Sequence, residues 1–173
     1  MAKKSIYAFK NINWQHWRPS VHAALVFVIK RGKILLIRKK RGLGAGNITG
    51  PGGKVEDNEL TYDCAVREIQ EELNITPMHL AFSGSNRFQF TDGLAMQMHI
   101  YTTSDYIGTP SETDEAAPLW YPVQDIPYDE MWEDDRLWMP LMLSNKSFNG
   151  CFLFNDGQML GYQLSLADNH SND

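Results

Sequence analysis

A chain of 173 residues with 43% apolar and 21% charged side chains is sized for one globular domain, able to bury about 70% of its unfolded surface. A net charge of −5 argues against binding DNA, RNA or anionic membrane through bulk charge. It also disfavours an anionic substrate unless basic groups are gathered locally or a metal screens the acid. The two cysteines, Cys64 and Cys151, lack metal-like spacing and read as reduced, partly buried thiols of a cytosolic protein; there is no apolar leader and no run of 18 apolar residues to span a membrane.

Residues 1–19 carry Trp14, Trp17 and Pro19 without a clear period, which suggests an N-terminal arm packing its aromatics on the body, with a short strand near Ile6–Phe9. A single domain is expected over 20–166. Val21–Ile29 is the apolar, β-branched run of a buried strand, and Lys30-Arg31-Gly32 turns it into a partner strand, Lys33–Ile37. There Ile34 and Leu36 alternate with Leu35 and Ile37, so both sheet faces should be covered. The basic run Arg38-Lys39-Lys40-Arg41 opens a glycine-rich loop. Leu60–Leu73 has a helical period with Cys64, Ile69 and Leu73 facing the core. His79–Gln89 and Met96–Thr103 form strands joined by Thr91-Asp92-Gly93, and Leu119–Pro122 is a further short strand. A helix is expected to start near Asp134, where acids suit a helix N-terminus, with Pro140 interrupting it. Gly150–Phe154 and Gln158–Leu164 flank the hairpin turn Asn155-Asp156-Gly157. A polar, frayed tail, 167–173, ends the chain.

The chemistry concentrates in Gly53–Ile75. Glu68, Glu71 and Glu72 are three and four apart, so on a helix their Cβ atoms converge within roughly 5–6 Å. Each like-charge pair at that spacing costs about 0.2–0.5 kcal/mol, and a hard divalent cation with oxygen ligands would offset it. A bare Glu-x-x-Glu-Glu is most often a solvated face. Here it sits inside a longer pattern: Gly53, five residues, Glu59, seven residues, then Arg67-Glu68-apolar-x-Glu71-Glu72 and Asn74-apolar. Chance odds for that pattern are on the order of one in 10⁵. The segment resembles the Nudix box of the Nudix hydrolases. One position departs, the usual glycine near the end being Asn74, the residue that best tolerates a left-handed helix end after Gly.

The resemblance implies an α/β Nudix fold, a mixed β-sheet sandwiched between α-helices. It implies hydrolysis of a nucleoside diphosphate linked to another moiety, with Mg²⁺ (or Mn²⁺) held by Glu68, Glu71, Glu72 and the carbonyl of Gly52. Lys54 and Gly53 would face a phosphate, and Glu59 with Arg67 would form a structural ion pair. Outside the box, KKRGLGAG (39–46), IGTPSETDE (107–115), DIPYDEMWEDDRLWMPLML (125–143) and FNGCFLF (148–154) resemble one subgroup, the animal-type 8-oxo-dGTP diphosphatases. That likeness places Glu115 at the metal as well. It assigns base binding to Trp132, Asp134 and Asp135 in a W-x-D-D pattern, with Phe88 and Met96 lining the pocket and Lys39 near the nucleotide. An indole face stacks a purine, and carboxyls suit the N–H edge of an oxidised guanine; two adjacent buried acids are able to share a proton. Thr49 stands where the subgroup carries a base-binding Asn, and its hydroxyl lacks a bidentate amide edge. Lys40 and Arg41 would focus the field for a polyanion.

Three readings follow. The first is a monomeric, Mg²⁺-dependent enzyme of the cytosol that hydrolyses oxidised purine (deoxy)nucleoside triphosphates to monophosphate and pyrophosphate, without nucleic-acid or membrane partners. The second is a Nudix hydrolase of another modified or general nucleotide. The third is a nucleotide-sensing module without hydrolysis, which the intact glutamate set disfavours.

Overall fold

Two apolar sets alternating along the first hairpin decide the architecture. The computed structural model describes residues 8–168. It contains strands β1 (Val21–Lys30), β2 (Lys33–Lys39), β3 (Ile48–Thr49), β4 (Gly52–Lys54), β5 (Thr76–Met78), β6 (Ala81–Phe90), β7 (Ala95–Thr103), β8 (Asp105–Ile107), β9 (Ala116–Pro122), β10 (Phe148–Asn155) and β11 (Gln158–Leu166). Helix α1 covers Thr61–Leu73 and α2 covers Asp135–Leu143, preceded by a 3-10 turn at Tyr128–Glu130. Nine strands form one mixed sheet in the order β11-β10-β6-β7-β1-β2-β3, with β4 also pairing β1 and β9 also pairing β2. The β1–β7 and β6–β10 pairs are parallel; β5 and β8 make a separate two-stranded sheet.

Both faces are covered, as the hairpin pattern requires. Ala24, Val26, Val28, Leu35 and Ile37 pack with Cys64, Ala65, Ile69 and Leu73 of α1. On the opposite face Ala23, Phe27, Ile34 and Leu36 pack with Trp138, Met139 and Met142 of α2 and with Phe148, Phe152 and Phe154 of β10. Residues two apart on a strand share a face, so this division follows from the sequence alone.

The N-terminal arm packs its aromatics, but not as the expected strand. Ala8–Lys10 are helical, while Ile6 and Tyr7 lie outside the described residues. Phe9, Trp14 and Trp17 pack in series as tilted ring pairs with centroids 5.5 and 5.8 Å apart. Arg87 donates to the Trp14 carbonyl (2.8 Å) and the Trp17 indole donates to Gln89 (2.9 Å). The arm thus lies on the α1 side of the sheet, over β6 and its neighbours, where α1 does not reach. Two further differences have local causes. His79 sits at φ 54, so the strand expected from His79 begins only at Ala81 as β6, with the unforeseen β5 before it. Pro140 does not end its helix, which continues to Leu143.

Candidate active site

α1 begins at Thr61 with Leu60 at its N-cap and closes on Asn74, whose φ of 59 and ψ of 30 are the left-handed end expected for the box departure. Its buried stripe anchors the helix and sets Arg67, Glu68 and Glu71 along the rim. Arg67 is the hub. Its Nε and Nη2 donate to the two Glu59 oxygens at 2.7 and 2.9 Å. Its Nη1 donates to Glu68 at 2.8 Å and Glu71 at 3.3 Å, and Nη2 also donates to the Lys54 carbonyl at 3.1 Å. The guanidinium beside Glu59 pulls that carboxyl down to about 2. The Glu59–Arg67 pair therefore forms as the sequence suggests, but it also holds two of the acids.

Glu68, Glu71 and Glu115 each place a carboxylate oxygen within 4.8 Å of the other two. Glu72 turns elsewhere: it is buried and accepts the Gly52 N–H at 2.7 Å. Burial pushes its carboxyl up to about 8, with Glu68 adding to the rise; burial likewise raises Glu68. β4 lies directly against these acids. A Cβ at Gly53 would collide with the Glu68 carboxyl, and one at Gly52 with the Ala24 carbonyl, so both positions require glycine for close approach. An all-oxygen set of this density, otherwise countered by Arg67 and Arg41, suits a hard divalent cation.

The acids open into a cleft of about 330 Å³ that runs to an aromatic end. Lys39, Thr49, Gly52, Gly53, Lys54, Glu68, Glu72, Phe88, Met96, Glu115, Trp132, Asp134 and Asp135 all line it. Glu71 stands at its exposed rim. Trp132 is held edge-on by Phe90 and Phe154 at 6.1 and 5.3 Å. Gly44, at φ +78, brings the glycine loop against it; a Cβ there would lie 2.7 Å from the indole nitrogen.

Asp134 and Asp135 sit where α2 begins, yet neither carboxyl caps it. Asp134 Oδ2 accepts the Trp138 indole N–H at 2.8 Å. Asp135 is buried and its Oδ2 has no partner among the described residues. Burial raises both acids, and the Asp134 charge raises Asp135 further. An unbonded carboxyl oxygen aimed from a helix start into an aromatic cleft is suited to meet a polar ring edge.

The basic run behaves differently from the field-focusing role expected of Lys40 and Arg41. Arg41 pairs with Glu115. Lys40 Nζ contacts Glu112 at 2.7 Å and donates to the Thr113 carbonyl at 2.7 Å, while Lys39 Nζ donates to the Leu43 carbonyl at 2.8 Å. Lys40 and Arg41 thus strap the glycine loop to the loop that carries Glu115, whereas Lys39 stays within its own loop. No spacing in the sequence announces that, because the partners lie some seventy residues apart.

The NUDIX domain model matches residues 19–142. A zebrafish (Danio rerio) protein named oxidized purine nucleoside triphosphate hydrolase is 44% identical over 131 residues, covering 75% of this chain and 84% of the relative. The mouse (Mus musculus) protein of the same name is 39% identical over 146 residues, covering 83% and 94%. A crystal structure of a MutT protein from Bacillus halodurans shares the fold with a TM-score of 0.73 at 22% identity, over 84% of this chain and 97% of that one. With its box on α1 and most of its length matched, the chain belongs to the Nudix family.

Proposed function

We propose that this protein hydrolyses oxidised purine (deoxy)nucleoside triphosphates, such as 8-oxo-dGTP, to the monophosphate and pyrophosphate with Mg²⁺ (or Mn²⁺) as cofactor. The observation that carries the reading is one cleft with a carboxylate cluster at one end and Trp132 beside an unbonded, buried Asp135 at the other. The names borne by the zebrafish and mouse relatives support the same substrate class.

Glu68, Glu71, Glu115 and the Gly52 carbonyl would hold the metal, with Glu72 offering it the oxygen that does not accept the Gly52 N–H; when bound, the metal would neutralise phosphate oxygens and lower the pKa of water. Lys39 and Lys54 face the phosphates and counter their charge where it builds up. Glu59 fixes Arg67, and Arg67 in turn fixes the loop onto the helix. At the far end Trp132 stacks the base. With both carboxyls raised, Asp134 and Asp135 hold a proton between them, so one accepts from the ring edge while the other donates. That arrangement tolerates more than one oxidised purine.

The test is pyrophosphate release with Mg²⁺ across normal and oxidised nucleotides. Faster release from 8-oxo-dGTP than from dGTP is the expected result; no release from any nucleotide overturns the reading in favour of a sensor. Thr49 supports a second reading, because its single hydroxyl in the base region is a sparse discriminator. A preference for a different modified nucleotide would establish that reading instead.

A further inference from the structure

Beneath the aromatic end of the cleft lies a polar group that the site as described does not use. Asn86, on β6, is fully buried, and neither its Nδ2 nor its Oδ1 has a hydrogen-bond partner among the described residues. A buried amide with both ends unbonded is costly and rare in a native core. Its surroundings make room for it. Gly150 is its neighbour on β10, and a Cβ there would lie 2.5 Å from the amide oxygen. It shares a strand face with Phe88 and Phe90, both of which line the cleft.

The register shows what separates this amide from the cleft. Across the sheet one row reads Gly150, Asn86, Met98, Ala23. Met98 and Ala23 both line the cleft. Cross-strand neighbours lie about 4.5–5.5 Å apart at Cβ, so Met98 is the next side chain between Asn86 and the open space above Ala23. Methionine has three rotatable bonds and adapts its packing readily, and alanine leaves volume for it to move into. The cleft otherwise offers the base the Thr49 hydroxyl and the two carboxyls, none of which presents the paired donor and acceptor of an amide.

We propose that Asn86 is a specificity-determining residue for the purine. Met98 swings over Ala23 as the base enters, and the Asn86 amide then bonds the polar edge of the ring. The inference rests on the base-binding reading of the Trp132 end.

The experiment uses the whole ¹⁵N-labelled chain titrated with 8-oxo-dGMP, the product of the proposed reaction. The Asn86 side-chain NH₂ signal, assigned from its loss in Asn86→Leu, is expected to shift saturably alongside the Trp132 indole. In kinetics, Asn86→Leu is expected to raise KM for 8-oxo-dGTP about tenfold, as for one lost hydrogen bond, with kcat within about twofold. Its melting temperature should rise, because an orphaned polar group is replaced by an apolar one of similar size. A moving Trp132 signal with a static Asn86 NH₂ overturns the inference, as does a stabilised Asn86→Leu with parental KM. If neither signal moves and no nucleotide is hydrolysed, the reading of the site fails, and this inference fails with it.

Discussion

Replacing Glu59 by Gln removes one charge from the Arg67 hub at nearly constant volume. The two oxygens of Glu59 receive two guanidinium N–H groups at 2.7 and 2.9 Å, and the side chains are only 13% and 24% exposed. Hydrogen bonds to charged groups are worth about 1.5–3 kcal/mol. Gln retains one neutral acceptor, so the net loss is roughly 2 kcal/mol. For a domain of this size that lowers the melting temperature by about 4–8 °C. The pH dependence has a definite sign. Folding depresses the Glu59 carboxyl from 4.5 to about 2, so its contribution is complete above pH 4.5 and is lost as pH falls towards 2. Glu59→Gln should lack that portion of the acid limb. Melting curves from pH 2 to 7 on parent and variant measure both effects. A melting temperature within about 1 °C of the parent at pH 7, with an unchanged acid limb, would refute the hub. A second readout is the Mg²⁺ concentration for half-maximal turnover. Freed from Glu59, Arg67 retains Glu68 and Glu71 as its anionic partners, so that concentration should rise.

Glu71→Gln removes one of the three converging carboxylates and is expected to cut kcat by roughly 10²–10³; turnover within a few-fold of the parent would mean the metal is held elsewhere. Trp132→Ala should weaken binding of 8-oxo-dGTP by about 1–3 kcal/mol and erode its preference over dGTP; an unchanged preference in competition kinetics would misplace the base pocket. Asp135 is raised well above the usual carboxyl range by burial and by Asp134, so parental stability falls as pH rises from 3.8 through that raised value. Asp135→Asn should therefore gain melting temperature relative to the parent at pH 8 but not at pH 3, and a pH-independent difference contradicts the buried-acid assignment. Asn74→Ala places a Cβ-bearing, non-polar residue at φ 59 and removes the 2.8 Å bond to Ser111; a loss of about 1 kcal/mol in urea unfolding is expected, and none would show the helix end relaxes freely.

Much of this site was written in local sequence. The spacing of Arg67, Glu68, Glu71 and Glu72 and the period of Leu60–Leu73 are short-range patterns, and α1 carries them as expected. The same holds for the two faces of β2 and for the start of α2 near Asp134. What escaped has long-range or very short causes. β3 and β4 are two and three residues long, too brief for any alternation to register, and they exist because β1 and β2 offer them an edge. Glu115 came into view only by resemblance, since nothing local distinguishes it from Glu112. The strap from Lys40 and Arg41 to that loop needs a partner the run itself does not name. Asp134 and Asp135 were placed correctly at a helix start, but their orientation depends on Trp138 and on burial that local pattern does not encode. Asn86 reads as one polar residue in SGSNRFQF; its lack of partners among the described residues is a property of the packed core.

The arm has a consequence for how the chain reaches its final form. Trp14 and Trp17 lean on Arg87 and Gln89, and Phe9 lies against Gly161 of β11. The earliest aromatic cluster to be synthesised must therefore wait for the last hairpin before it finds its full complement of neighbours. Contacts that span nearly the whole sequence form late and leave apolar surface uncovered meanwhile. Docking of Phe9 is thus a built-in report that β11 is in place, and the fluorescence of Trp14, whose ring meets Phe9, should mature in the final phase of refolding, after the sheet around β1 has closed.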